Sequence, residues 1–165
     1  VTMYRITKVL SVGPFATADR GEALLAAGVT HVLNLCDWPN EVVAKPGSFA
    51  AVTSIRLSDS QRLLPGTTVK LLNTLHRFAS LPDSHVYVHC VAGMKRSPTV
   101  VWLYLIAMGV PPDDARDWIE DRSPVAIAGY PAMVDHEHVR FSQMHGLANF
   151  FPHPRPEIIV PFEIT

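Results

Sequence analysis

One short stretch gathers the groups needed to hold and attack a phosphate: His89-Cys90-Val91-Ala92-Gly93-Met94-Lys95-Arg96-Ser97-Pro98. The run His85–His89 before it is strand-like, and the apolar run Ser97–Met108 after it is helix-like. A loop between a strand and a helix converges its N–H groups on its centre, and the helix adds its own free N–H groups and positive end. This makes an oxyanion site. The backbone from Val91 through Ala92, Gly93, Met94 and Lys95 to Arg96 would line it, with the Arg96 guanidinium forked onto two oxygens. The same setting activates sulfur: a free thiol titrates near 8.5, and a helix N-terminus beside a cation brings it to roughly 3.5–7.5. Cys90 is therefore expected as a thiolate aimed at phosphorus. Gly93 suits a tight turn or close approach to the ligand. Ser97 can donate a hydrogen bond to the sulfur and help it leave. Lys95 adds a second cation, which would favour a more anionic substrate.

These residues resemble the phosphate-binding loop of the cysteine-dependent phosphatases, the protein tyrosine phosphatase superfamily, whose signature is His-Cys-five residues-Arg-Ser/Thr. With Ala92-Gly93, HCVAGMKRS is most similar to the dual-specificity branch. The resemblance implies phosphomonoester hydrolysis through a phosphocysteine on Cys90, with no metal and no cofactor. It also implies a general acid on the loop after the preceding strand. Asp59, at the end of Ile55-Arg56-Leu57-Ser58-Asp59, fits that place, and Asp37 is its rival. Asp83 lies at the wrong end of the strand that feeds the loop. His89 is expected to brace the loop, not to carry protons. In some relatives a cysteine on the neighbouring strand pairs with the nucleophile, which makes Cys36 a candidate redox partner. The likeness extends over about residues 5–145, through Thr30–Cys36 and Asp121-Arg122-Ser123-Pro124. Two departures stand out: Met94-Lys95 replaces the small residues common before the arginine, and no long insertion separates Cys36 from Val52. A shallow site that tolerates several phosphoesters is expected.

Positioning this loop requires strands alternating with helices. Arg5–Val12 reads as an edge strand or short hairpin. Thr17 can cap a helix to Ala27 that stops at Gly28. Thr30–Cys36, Val52–Leu57 and His85–His89 read as strands, and apolar spacing predicts a helix over Thr67–Ser80. Ser97–Met108, Asp113–Asp121 and Ala132–His145 read as further helices. The fold class is α/β, a central, mainly parallel sheet of four to five strands flanked by helices. In such sheets ligands sit beyond the carboxyl ends of the strands, where Cys90 would lie. A catalytic domain over 1–145 and a Pro-rich tail over 146–165 are expected.

Composition bounds the rest. A chain of 165 residues with 48% hydrophobic and 18% charged residues suits one packed domain. A net charge of −1 speaks against nucleic-acid binding through bulk positive charge. Two cysteines do not make a disulfide framework. The stretch Val9–Phe15 is a poor signal peptide, and Val100–Val110 is too short to span a bilayer. A soluble cytoplasmic monomer acting on a phosphorylated protein or small phosphoester follows as the expectation, with no membrane insertion. His136, His138 and His145 lack the accompanying Cys or carboxylate pattern of a zinc site. Trp38, Lys45 and Arg62 are candidates for the rim of the pocket. The rivals are a module that binds phosphoryl groups without turnover, a sulfur-transfer or arsenate-reducing enzyme, and a phosphatase of phosphoinositides, glucans or nucleotides.

Overall fold

A computed structural model describes residues 2–164. The first and last residues of the expected division into 1–145 and 146–165 lie outside the described residues. Five strands form one sheet: β1 (Tyr4–Arg5), β2 (Leu10–Gly13), β3 (His31–Asn34), β4 (Ala51–Ser54) and β5 (Val86–His89). Their order is β1-β2-β5-β3-β4; β1 is antiparallel to β2 and every other pair is parallel. This matches the expected mainly parallel sheet, with the N-terminal hairpin at its edge.

The sheet is covered on both faces, and side chains of the central strands alternate accordingly. Val86, Val88 and Leu33 face the larger core; Tyr87 and Val32 face a smaller one with Leu24, Val42 and Phe49. The smaller core is closed by α1 (Gly21–Ala26). The larger is closed by α2 (Pro65–Ala79), α3 (Arg96–Ala107), α4 (Pro112–Arg122) and α5 (His136–Asn149). Helix α3 is apolar all round and buried from Ser97 to Ala107, as a helix must be that packs on sheet and helices together. Helix α2 instead buries one stripe, including Leu71, Leu72, Leu75 and Phe78. Pro65 and Pro112 sit in the first turns of α2 and α4, where a missing N–H costs little.

The boundaries differ from expectation for local reasons. Strand β3 stops at Asn34 because the Asn34 side-chain oxygen takes the Cys36 N–H at 2.9 Å. The helix expected from Thr17 opens as a 3-10 turn over Ala18–Arg20, and Thr17 makes no side-chain cap. Helix α5 starts later than expected and runs further. The Asp135 carboxylate accepts the Glu137 and His138 N–H groups in a capping box that fixes the start.

The segment after α5 packs on the domain. Phe150 and Ile158 are buried in the larger core. Arg155 donates to the carbonyls of Ala79 and Leu81 at 3.1 and 2.7 Å. Thr7 pairs with Pro161, and the Phe162 N–H reaches the Ile6 carbonyl at 2.8 Å. No helix among the described residues is long and apolar enough to cross a membrane.

Helix α5 comes closest to α3 at Gly146, where an added Cβ would stand 1.7 Å from the Ala107 carbonyl oxygen. Gly146→Ala is expected to destabilise the fold by about 3 kcal/mol, the upper end for an overpacked core. Urea unfolding of the two proteins checks this.

Candidate active site

Strands β2, β3, β4 and β5 all end at one edge of the sheet, and the loop from Cys90 to Arg96 crosses that edge into α3. Two glycines set its position. Gly93 has φ +72°, a conformation side chains rarely adopt, and an added Cβ would stand 2.7 Å from the carbonyl carbon of Gly13. A Cβ on Gly13 would meet the Tyr87 hydroxyl at 2.5 Å. The end of β2 therefore lies flush against the loop, and the Phe15 N–H bonds the Val91 carbonyl at 3.0 Å. On the other flank the Ile127 N–H holds the Met94 carbonyl at 2.8 Å, and Thr99 Oγ1 accepts the Tyr130 N–H at 2.9 Å.

The Cys90 sulfur is buried, with the Ser97 hydroxyl 3.5 Å away. Burial alone pushes its thiol up. Against it act hydrogen bonds from the Ser97 side chain and from the Ser97 and Gly93 N–H groups, then the charge of Arg96. The net result lies below the ordinary thiol value. No side chain caps the start of α3, so its first N–H groups stay available to a ligand. His89 sits between Phe15 and Tyr87, with ring centroids at 5.2 and 5.6 Å. Burial holds its pKa down at about 4, so it is neutral at physiological pH. Its Nδ1 lies 3.2 Å from the Cys90 carbonyl.

Beside the loop opens a cleft of about 440 Å³ lined by Asp37, Arg56, Leu57, Ser58, Asp59, Gln61 and Arg96. Both acid candidates face it. Asp59 pairs with Lys95 at 3.7 Å, and Asp37 pairs with Arg56 at 3.6 Å. The Arg96 guanidinium donates to the Leu57 carbonyl at 3.3 Å. Asp83 lies in the turn before β5, at the opposite edge.

Other candidates are placed differently. The Cys36 thiol is buried, donates to Asn34 Oδ1 at 3.1 Å, and forms no disulfide. Arg62 bonds Asp135 and the Pro131 carbonyl, which ties the loop before α2 to the start of α5 away from the cleft. Trp38 packs on Phe15 at 5.2 Å. Lys45 does not line the cleft. No cluster of three or more His, Cys, Asp or Glu residues suited to a metal occurs among the described residues.

Gly13, Ile127 and Tyr130 escape a reading of the sequence. They act through contacts with residues distant in the chain, and only the glycine at the end of β2 carries even a weak local signal.

A family model described as "PTP-SAK: Swiss Army Knife protein, DSP-PTPase phosphatase domain" matches residues 10–146. The chain belongs to this family. Mouse dual specificity protein phosphatase 8 is 28% identical over 130 residues, 75% of this chain and 19% of that protein. Human protein tyrosine phosphatase type IVA 3 is 43% identical over 51 residues, 31% of this chain and 30% of that protein. The chain thus spans less than a third of the length of these curated relatives. Among solved structures, PTPMT1 shares the fold with a TM-score of 0.68 at 19% identity, covering 88% of this chain and 97% of that one. Human DUSP28 does so with a TM-score of 0.65 at 22% identity, covering 90% and 95%.

The hydrogen bonds to the Cys90 sulfur make a measurable demand. Its thiolate, followed by ultraviolet absorbance and corrected with Cys90→Ser, is expected to titrate below an ordinary thiol. Ser97→Ala should move that titration up by about one unit, the worth of one hydrogen bond to a charged group. An unmoved titration would count against the Ser97 contact.

Proposed function

We propose that the chain is a phosphomonoester hydrolase of the dual-specificity type, working through a phosphocysteine on Cys90. The observation that carries this reading is the Cys90 sulfur itself. It is buried, yet hydrogen bonds from Ser97 at the start of α3 and from the Gly93 N–H in the loop, with the charge of Arg96, hold its thiol below the ordinary value. Burial would favour the neutral thiol, so the surrounding groups are arranged for negative charge.

The chemistry runs in two steps. The Cys90 thiolate attacks phosphorus in line; the S–P bond forms as the P–O bond to the leaving group breaks. The N–H groups of Val91–Arg96 and the Arg96 guanidinium hold the equatorial oxygens, so catalysis is mainly positioning and electrostatics. Asp59 gives its proton to the leaving oxygen. Its carboxylate then takes a proton from the water that attacks phosphorus, the S–P bond breaks, and the Ser97 hydroxyl receives the thiolate. His89 braces the loop from behind. The reading requires no metal and no cofactor.

In this reading the catalytic domain runs past the expected boundary at 145, because Gly146 packs on Ala107 from inside α5. The Pro-rich segment after Asn149 is clamped onto that domain, and the protein acts as a monomer in the cytoplasm. Two free thiols suit a reducing compartment. Phosphorylated proteins and small phosphoesters are both taken as substrates. Cys36 is read as a redox partner: peroxide converts the Cys90 thiolate to a sulfenic acid, which condenses with the Cys36 thiol to a disulfide and water. Recovery from peroxide under thiol is expected to be less complete in Cys36→Ser than in wild type. Equal recovery removes Cys36 from the scheme.

Turnover of p-nitrophenyl phosphate and phenyl phosphate in EDTA tests the main reading. Cys90→Ser should be inactive. Asp59→Asn should lose roughly 10²-fold or more on phenyl phosphate, whose leaving group needs a proton, and less on p-nitrophenyl phosphate. Asp37→Asn should retain activity; loss there, with Asp59→Asn active, would exchange the two roles. A wild type that binds vanadate but turns over neither ester would mark a phosphoryl-binding module.

A further inference from the structure

Lys95 lies beside the cleft and leans toward Asp59 on its wall. Its Nζ lies 3.7 Å from Asp59 Oδ2 and 4.8 Å from the centre of the Tyr130 ring. Both supports come from other parts of the chain: Asp59 follows β4, and Tyr130 follows α4. Tyr130 is itself fixed through Thr99, and the residue before Lys95 is fixed through Ile127. The ammonium therefore has a defined resting place on an aromatic face beside a carboxylate.

The cations in and beside the cleft differ in how they are engaged. Arg56 is paired with Asp37 and Lys95 with Asp59, while Arg96 meets only a carbonyl and has no carboxylate partner among the described residues. Arg96 is thus open to the scissile phosphate. The Lys95 and Asp59 side chains are 33% and 42% exposed. A pair this open to water is weak and readily exchanged. An anion brought in by the substrate can take the ammonium while the backbone of the loop stays in place.

We propose that Lys95 is a specificity-determining residue that exchanges Asp59 for a second anionic group carried by the substrate next to its scissile phosphoester. The proposal rests on the phosphatase reading above. It names a substrate class: small phosphomonoesters with a carboxylate or a further phosphate a few atoms from the ester. No bond to Lys95 is made or broken. The ammonium supplies charge alone, and after the exchange Asp59 faces the leaving oxygen without it.

The test compares 3-carboxyphenyl phosphate with its neutral analogue 3-carbamoylphenyl phosphate, in wild type, Lys95→Met and Lys95→Arg. Wild type is expected to favour the carboxylate in kcat/KM by about fivefold at low salt, as a partly exposed charge pair would give. The preference should shrink as salt rises. It should vanish in Lys95→Met and return in Lys95→Arg, an internal ratio that a general loss of activity does not move. A parallel pair, inositol 1-phosphate and inositol 1,2-bisphosphate, shows by its own ratio whether a second phosphate serves better than a carboxylate. Equal rates within both pairs in wild type, or a preference that survives Lys95→Met, overturns the proposal. The same ratio is read as Kd in Cys90→Ser. If wild type turns over none of these esters while a Lys95-dependent ratio persists in Kd, the phosphatase reading falls and the second-anion site stands.

Discussion

The structure is organised around a buried sulfur whose surroundings favour negative charge. Taking an anion out of water is costly, and burial by itself would leave Cys90 protonated. The opposing groups are the Ser97 hydroxyl, the N–H groups of Ser97 and Gly93, and the Arg96 charge. Each acts only at hydrogen-bond or near range, so the loop must hold its shape to within a few tenths of an ångström. That requirement explains the surroundings. Helix α3 is buried all round and cannot slide, its N-terminus lies under the sulfur, and the loop is gripped on one flank by β2 and on the other by the segment after α4.

How much of this the sequence discloses depends on the range of each contact. Cys90, Gly93, Arg96 and Ser97 lie within one turn of chain between a strand and a helix, so their joint geometry follows from local pattern. The alternation of strands and helices, and a sheet of mainly parallel strands, follows from hydrophobic periodicity. Asp59 and Asp37 are both legible as loop carboxylates at the right edge, and both line the cleft. Their partners Lys95 and Arg56 are not equally legible: Arg56 lies within the strand-like run read as Val52–Leu57, and the Lys95–Asp59 pair spans two elements.

Element ends were the least legible, because side chains compete with the regular pattern there. Asn34 captures a backbone N–H and cuts β3 short, and Asp135 sets the start of α5 with its carboxylate. The stretch after α5 looks irregular in sequence because it is rich in proline. It nonetheless packs on the domain: Arg155 and Phe162 bond residues from far earlier in the chain, and Ile158 is buried in the larger core.

The contact between Gly13 and Gly93 also constrains how the chain assembles. Gly13 lies opposite His89 in the parallel pairing of β2 with β5, beside the point where the loop leaves the sheet. A slip of one residue would bring Val12 or Pro14 to that place, and the Cβ of either would strike the Tyr87 hydroxyl, which stands 2.5 Å from a Cβ at position 13. The fit of β2 against Tyr87 of β5 is therefore specific to its native register. Gly13 thus fixes the register of the strand whose backbone the loop packs against at Gly93, which ties the place of the loop to correct pairing of β2.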